Sequence, residues 1–118
     1  MSQVQFTYTW DFTKFETTAQ VGPYQNVITR IYWTLIGNDD QGNTAPLYDS
    51  TEITHEWILE QKAEFVPFAD MNKEQVEELL ETFLGEEEIT RLTDNLKIQL
   101  QQLEATRITT HAPPWLTA

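Results

Sequence analysis

Residues 72–104, NKEQVEELLETFLGEEEITRLTDNLKIQLQQLE, decide the fold class. Asn72 stands where a helix cap belongs, with Gln75 three residues on to close a capping box and Met71 placed to pack on Val76 as a hydrophobic staple. Val76, Leu79, Leu80, Phe83 and Leu84 then recur at i, i+3, i+4, i+7 and i+8, a stripe that a helix must bury. Gly85 supplies a left-handed stop. Glu86, Glu87 and Glu88 fall in the first turn of a second helix, where carboxylates interact favourably with the exposed amides and the helix dipole. Ile89, Leu92, Leu96, Leu100 and Leu103 give that helix its own stripe. The pattern predicts two amphipathic helices, about 73–84 and 87–104, forming an αα-hairpin on one face of a sheet.

The sheet lies upstream. Over residues 4–12, Val4, Phe6, Tyr8, Trp10 and Phe12 alternate with polar residues, the period of a strand with one buried face. Val21-Gly22-Pro23 turns the chain, and residues 26–36 read as a second strand. One of its faces carries Val27, Ile31, Trp33 and Leu35, and the other carries Ile28, Tyr32 and Ile36. Such a strand belongs in the middle of a sheet or at a subunit contact. Residues 37–43 form a turn-rich loop before a third strand near 45–54, where Pro46 favours an edge. Residues 55–65 read as extended in preference to helical, with Ile53, Trp57 and Leu59 alternating, and Pro67 interrupts the segment.

The chain's 118 residues are the size of one domain. Nineteen acidic against seven basic residues leave a formal charge of −12, which disfavours contact with nucleic-acid phosphates or anionic lipid and favours a basic protein partner. With no cysteine there is no disulfide, thiolate nucleophile or thiolate zinc site. The N-terminus lacks the basic and apolar regions of a signal peptide, so a soluble cytoplasmic chain is expected.

No constellation of catalytic residues emerges. His55 and His111 sit in unrelated segments without a second metal-type ligand at suitable spacing, and read as surface or capping histidines. Asn38, Asp40 and Gly42 resemble an acidic calcium loop but lack its closing Glu, so the hairpin turn is preferred. Ser2 and Ser50 have no nucleophile-elbow setting. Glu74, Glu77, Glu78, Glu81, Glu86, Glu87 and Glu88 read mainly as a solvated helix face. No enzyme, cofactor or metal is expected.

Trp10, Trp33 and Trp57 lie in predicted sheet segments and are assigned to the core. Trp115 follows Pro113-Pro114, which favours an extended course, and its ring gains stability only by docking in a pocket, on its own domain or on a neighbour. The expected architecture is thus α+β. A domain over residues 1–105, β-rich over 1–65, has an antiparallel sheet of three or more strands packed with the αα-hairpin, and residues 106–118 form an extended C-terminal arm.

Phe65-Val66-Pro67-Phe68-Ala69-Asp70-Met71, the helix from Lys73, Leu84-Gly85-Glu86-Glu87-Glu88, the helix carrying Leu96, Gln99 and Leu100, and Pro113-Pro114-Trp115 occur in this order. Together with Ile31-Tyr32-Trp33-Thr34 and Asp40-Gln41-Gly42-Asn43 they make the chain resemble a family of small uncharacterised proteins of tailed bacteriophages. The likeness covers most of the chain, better after residue 60, and departs from the family at residues 55–64. It implies a tailed-phage origin and a non-enzymatic role as a virion structural protein, and brings no catalytic residues with it.

The expectation is therefore a capsid cement or decoration protein, next a neck, tail or baseplate protein, made in the host cytoplasm and located in the virion. Its partners would be the major capsid protein or tail and neck proteins, and itself, with no nucleic acid, membrane or small-molecule substrate. The interface is expected at Val4 and Phe6 on the first strand and at Pro113, Pro114 and Trp115 on the arm. The rival reading is an acidic intracellular phage protein that inhibits a basic host factor, as a DNA mimic.

Overall fold

The period-two pattern that begins near Val4 extends well past Phe12. In the computed structural model, which describes residues 4–60 and 67–116, β1 runs Phe6–Val21. A two-residue turn at Gly22 and Pro23 returns the chain as β2, Tyr24–Asp39, and β3 follows over Thr44–Glu52. The sheet is antiparallel with order β1-β2-β3, so the two-faced second strand is central and the Pro46 strand is at an edge. Two register irregularities in β1, at Phe12/Lys14 and Glu16/Thr17, let aromatic residues stay on one face where strict alternation would turn them outward.

That face is the core side. Leu35 pairs with Trp10 and Trp33 with Phe12, and the Trp10 and Trp33 rings meet edge to face with centroids 5.2 Å apart. Trp10, Ile31, Trp33 and Leu35 are buried there with Val76, Leu80, Leu92, Leu96 and Leu100. On the opposite face the Lys14 ammonium sits 4.4 Å from the centre of the Tyr32 ring, and Arg30 pairs with Glu16 and Glu52.

Residues 55–60 are helical, not extended: α1 spans His55–Glu60. The Thr54 hydroxyl accepts the Trp57 N–H at 3.2 Å and its carbonyl accepts the Ile58 N–H at 3.0 Å, a cap that overrides the alternation of Ile53, Trp57 and Leu59. Ile58 is fully buried, and Leu59 lies against Gly22, whose φ of 58° and lack of Cβ the turn requires. Trp57 is half-buried and packs on Phe83 at 5.2 Å. The remainder of the 55–65 prediction, with Val66, Ser2 and residues 117 and 118 of the arm, lies outside the described residues.

The helical ending also differs from expectation. It is one long helix, α2, Lys73–Ala105, with Gly85 (φ 83°, ψ 160°) as a non-helical break, so the predicted αα-hairpin is not formed. Successive α2 residues meet successively earlier β1 residues. Val76 lines a cavity with Phe12 and Phe15, Glu81 reaches Trp10, and Lys97 reaches Phe6. The chain bends at Gly85 and continues along the sheet instead of folding back. The capping box at Asn72 and Gln75 is present in both directions, at 2.8 and 2.9 Å. Leu103, assigned to the buried stripe, is 45% exposed.

Candidate interaction site

The turn of the β2–β3 hairpin and the last turns of α2 come together around Asp39. Its carboxylate accepts the backbone N–H groups of Gln41 and Asn43, each at 2.9 Å, and the Asn43 side-chain amide at 2.8 Å. The residue that organises this loop is therefore Asp39, and not the Asn38, Asp40 and Gly42 set of the calcium comparison. Desolvation raises the Asp39 pKa, but the Asn43 and Gln41 hydrogen bonds and the nearby Arg107 charge outweigh it and hold the carboxyl below its ordinary value.

Helix α2 is fastened to the same loop. The Asn43 amide also donates to Glu104 at 2.7 Å, and Arg107 donates to the Gln41 carbonyl at 2.7 Å and the Asn43 side-chain oxygen at 3.1 Å. Arg107 and Glu104 are paired at 2.9 Å. The start of β1 joins them, since Gln5 and Asp40 exchange hydrogen bonds at 3.1 and 3.2 Å. Three chain segments thus share one polar latch.

Beside the latch is a groove of about 610 Å³, lined by Val4, Phe6, Lys97, Gln101 and Ala105 together with Asp39, Gln41 and Glu104 of the latch. The Lys97 ammonium lies 5.4 Å from the centre of the Phe6 ring. Val4 is 44% exposed and Phe6 is half-buried, so two of the predicted interface residues meet here. The arm leaves from the latch at Arg107. Ile108 is 93% exposed, Trp115 is 80% exposed, and Pro114–Leu116 forms a single tight turn. Pro113 is half-buried. Among the described residues, Pro113, Pro114 and Trp115 do not line the groove that holds Val4 and Phe6.

Sequence reasoning missed Lys97, Gln101 and Ala105 as groove residues. The signal lay in their position on the last turns of α2, where they are exposed while Leu96 and Leu100 are buried.

The groups screened for chemistry remain dispersed. His55 is exposed, and His111 lies on the arm with its Nε2 2.7 Å from the Thr109 hydroxyl. Among the described residues no cluster of three or more His, Asp and Glu is placed to hold a metal ion. The acidic helix face is not uniformly solvated: Glu81 accepts the Trp10 indole N–H at 3.0 Å, Glu77 is half-buried, and Glu88 is paired with Arg91. The hydrogen bond and charge of Arg91 lower the Glu88 pKa and raise that of Arg91 in turn. Burial, with the Asp94 charge, pushes the Tyr8 phenol up.

A family model matches residues 5–115, strands, helices and arm together. The chain belongs to the family described as a domain of unknown function, DUF7936. The family match takes in both halves of the candidate site, the groove residues from Phe6 onward and the arm as far as Trp115. No curated protein and no solved structure matches the chain. No helix among the described residues is long and apolar enough to cross a membrane.

Proposed function

We propose that this chain is a non-enzymatic structural component of a tailed-phage particle that attaches through its C-terminal arm. A capsid cement or decoration subunit is the first assignment, and a neck, tail or baseplate position the next. The observation that carries the docking role is Trp115, a ring 80% exposed at the tip of an arm whose root is pinned by Arg107. A large aromatic on a proline-stiffened segment is suited to anchoring in a pocket, because little chain entropy is lost when it docks. The inclusion of the arm in the family match supports the same reading. The phage assignment rests on the resemblance carried by the segments ending in Pro113-Pro114-Trp115. The partner is then a capsid, neck or tail protein, and the location is the virion after synthesis in the host cytoplasm.

Mass spectrometry of purified particles tests this reading. The chain is expected in many copies per particle, and its absence from the particle overturns the assignment. Removing residues 111–118 should leave the fold intact and abolish attachment.

The alternative, an acidic inhibitor of a basic host factor, draws on the charge of −12 and on Glu74, Glu78, Glu86 and Glu87 exposed along α2. It predicts a host nucleic-acid-binding enzyme captured with an affinity that falls steeply with salt, and salt-insensitive capture removes its electrostatic basis.

A further inference from the structure

The groove beside the latch and the arm that springs from it are complementary, but no described residue of the arm lines the groove. Val4, Phe6 and Ala105 give the groove its apolar lining, and Lys97, Gln101, Asp39, Gln41 and Glu104 its polar lining. Its volume of about 610 Å³ is within the roughly 300–1,000 Å³ of sites that enclose large ligands. An indole suits such a site, since its body is apolar and its one N–H needs one acceptor. None of residues 107–115 lines the groove, although Ala105, the residue before the arm begins, does. To reach its own groove the arm must reverse direction within eight residues that include Pro113-Pro114, whereas an extended run of that length spans about 25 Å outward.

Charge selects the same partner. Residues 1–105 hold all nineteen acidic residues and six of the seven basic ones, a formal −13, while residues 106–118 contain Arg107 and no Asp or Glu. Two bodies therefore repel when brought face to face. The arm is the segment that approaches another copy without adding carboxylate to the contact.

Taking the arm as the docking element, as in the function proposed above, we propose that Trp115 of one copy seats in the Val4–Phe6–Lys97–Gln101–Ala105 groove of a second copy of this chain. Because arm root and groove lie at the same end of the molecule, two copies meeting at those ends exchange arms reciprocally about a two-fold axis.

Sedimentation equilibrium of the full chain tests the exchange. The wild type is expected to dimerise. Trp115→Ala should raise the dimer dissociation constant at least about tenfold, as loss of an aromatic anchor does. Ala105→Arg, at an exposed position lining the groove, should do the same. Mixing the Ala105→Arg chain, which keeps its arm, with a chain ending at Thr110, which keeps its groove, should restore a one-to-one complex through the single intact junction. A wild type that stays monomeric up to about 1 mM, the weak limit of specific association, overturns the proposal, as does a Trp115→Ala chain that dimerises unchanged. A shortened chain that fails to fold places the arm against its own body and also overturns it. Particle attachment separates the two readings: a monomeric wild type whose attachment needs Trp115 leaves the structural role standing and removes the exchange. Trp115-dependent dimers that never enter particles do the reverse.

Discussion

The Trp10 indole N–H donates to Glu81 Oε1 at 3.0 Å, joining residues 71 positions apart and fixing the first part of α2 over the middle of β1. Trp10 is 7% exposed, but Glu81 is exposed and the two line an open cavity of about 350 Å³, so water partly replaces a removed carboxylate and holds the cost to the lower part of the usual range. An unsatisfied buried donor costs about 1–3 kcal/mol.

Glu81→Ala is therefore expected to lower stability by about 1–2 kcal/mol and the melting temperature by several degrees. Glu81→Gln, which keeps an acceptor at the same reach, should recover most of the loss. The Trp10 indole proton resonance in an NMR spectrum reports the bond directly. A Glu81→Ala chain that keeps both the resonance and the melting temperature shows the contact contributes nothing.

The low pKa of Asp39 sets a pH dependence. A carboxyl whose folded pKa is depressed contributes stability above its unfolded value, ordinarily 3.8, and loses that contribution as pH falls through the lower folded value. Asp39→Asn should thus reduce protection of the Gln41 and Asn43 amides from hydrogen exchange near neutrality. The difference from wild type should begin to shrink as pH falls below about 3.8 and close as pH passes the lower folded value, where the native carboxyl becomes neutral. A difference that persists unchanged to pH 2 assigns the effect to shape instead of charge.

The packing of α2 on β2 predicts a graded series at Gly37. A Cβ placed there would lie 3.2 Å from both Leu96 Cβ and Leu100 Cδ1, closer than ordinary contact but within what a small shift relieves. Gly37→Ala should be near neutral, because the tight contact is offset by the backbone entropy that glycine loses in a strand. Gly37→Val should cost about 1–3 kcal/mol by overpacking, read as a lower denaturant midpoint with unchanged slope. Equal midpoints for the two variants would mean that the sheet and α2 separate more easily than their burial implies.

Much of the fold is legible in local pattern. The period of Phe6, Tyr8, Trp10 and Phe12, the two-sided apolar content of β2 and the Asn72 capping box each identify an element and, for β2, its central place. The α1 segment was hidden because Thr54 acts through a single hydroxyl, while Trp57 and Leu59 fit either period. The extent of β1 past Phe12 was hidden because its register irregularities break the alternation. The groove was only half visible. Val4 and Phe6 are local to one strand, but their meeting with Lys97 and Ala105 depends on the direction α2 takes after Gly85, and both a bend and a reversal satisfy the same stripes.

What those stripes do require is a break, and this makes Gly85 the sharpest test of the fold. Leu80 and Leu92 are both buried on the sheet, yet twelve residues of continuous helix at about 100° each would set them about 120° apart around the axis. The observed φ of 83° and ψ of 160° at Gly85 re-phase the second stripe, in a region that essentially only glycine populates. No atom lies within 4 Å of a Cβ added there, so a substitution meets backbone strain and no steric clash. Gly85→Ala is expected to cost about 1–3 kcal/mol. At an ordinary left-handed helix stop, with ψ near 45°, Asn would be tolerated better than Ala. With ψ at 160° that advantage is absent, so Gly85→Asn should destabilise as much as Gly85→Ala in chemical denaturation. A clearly milder Asn variant would instead mean that the chain turns at Gly85 through the left-handed conformation, returning the two helices to a hairpin.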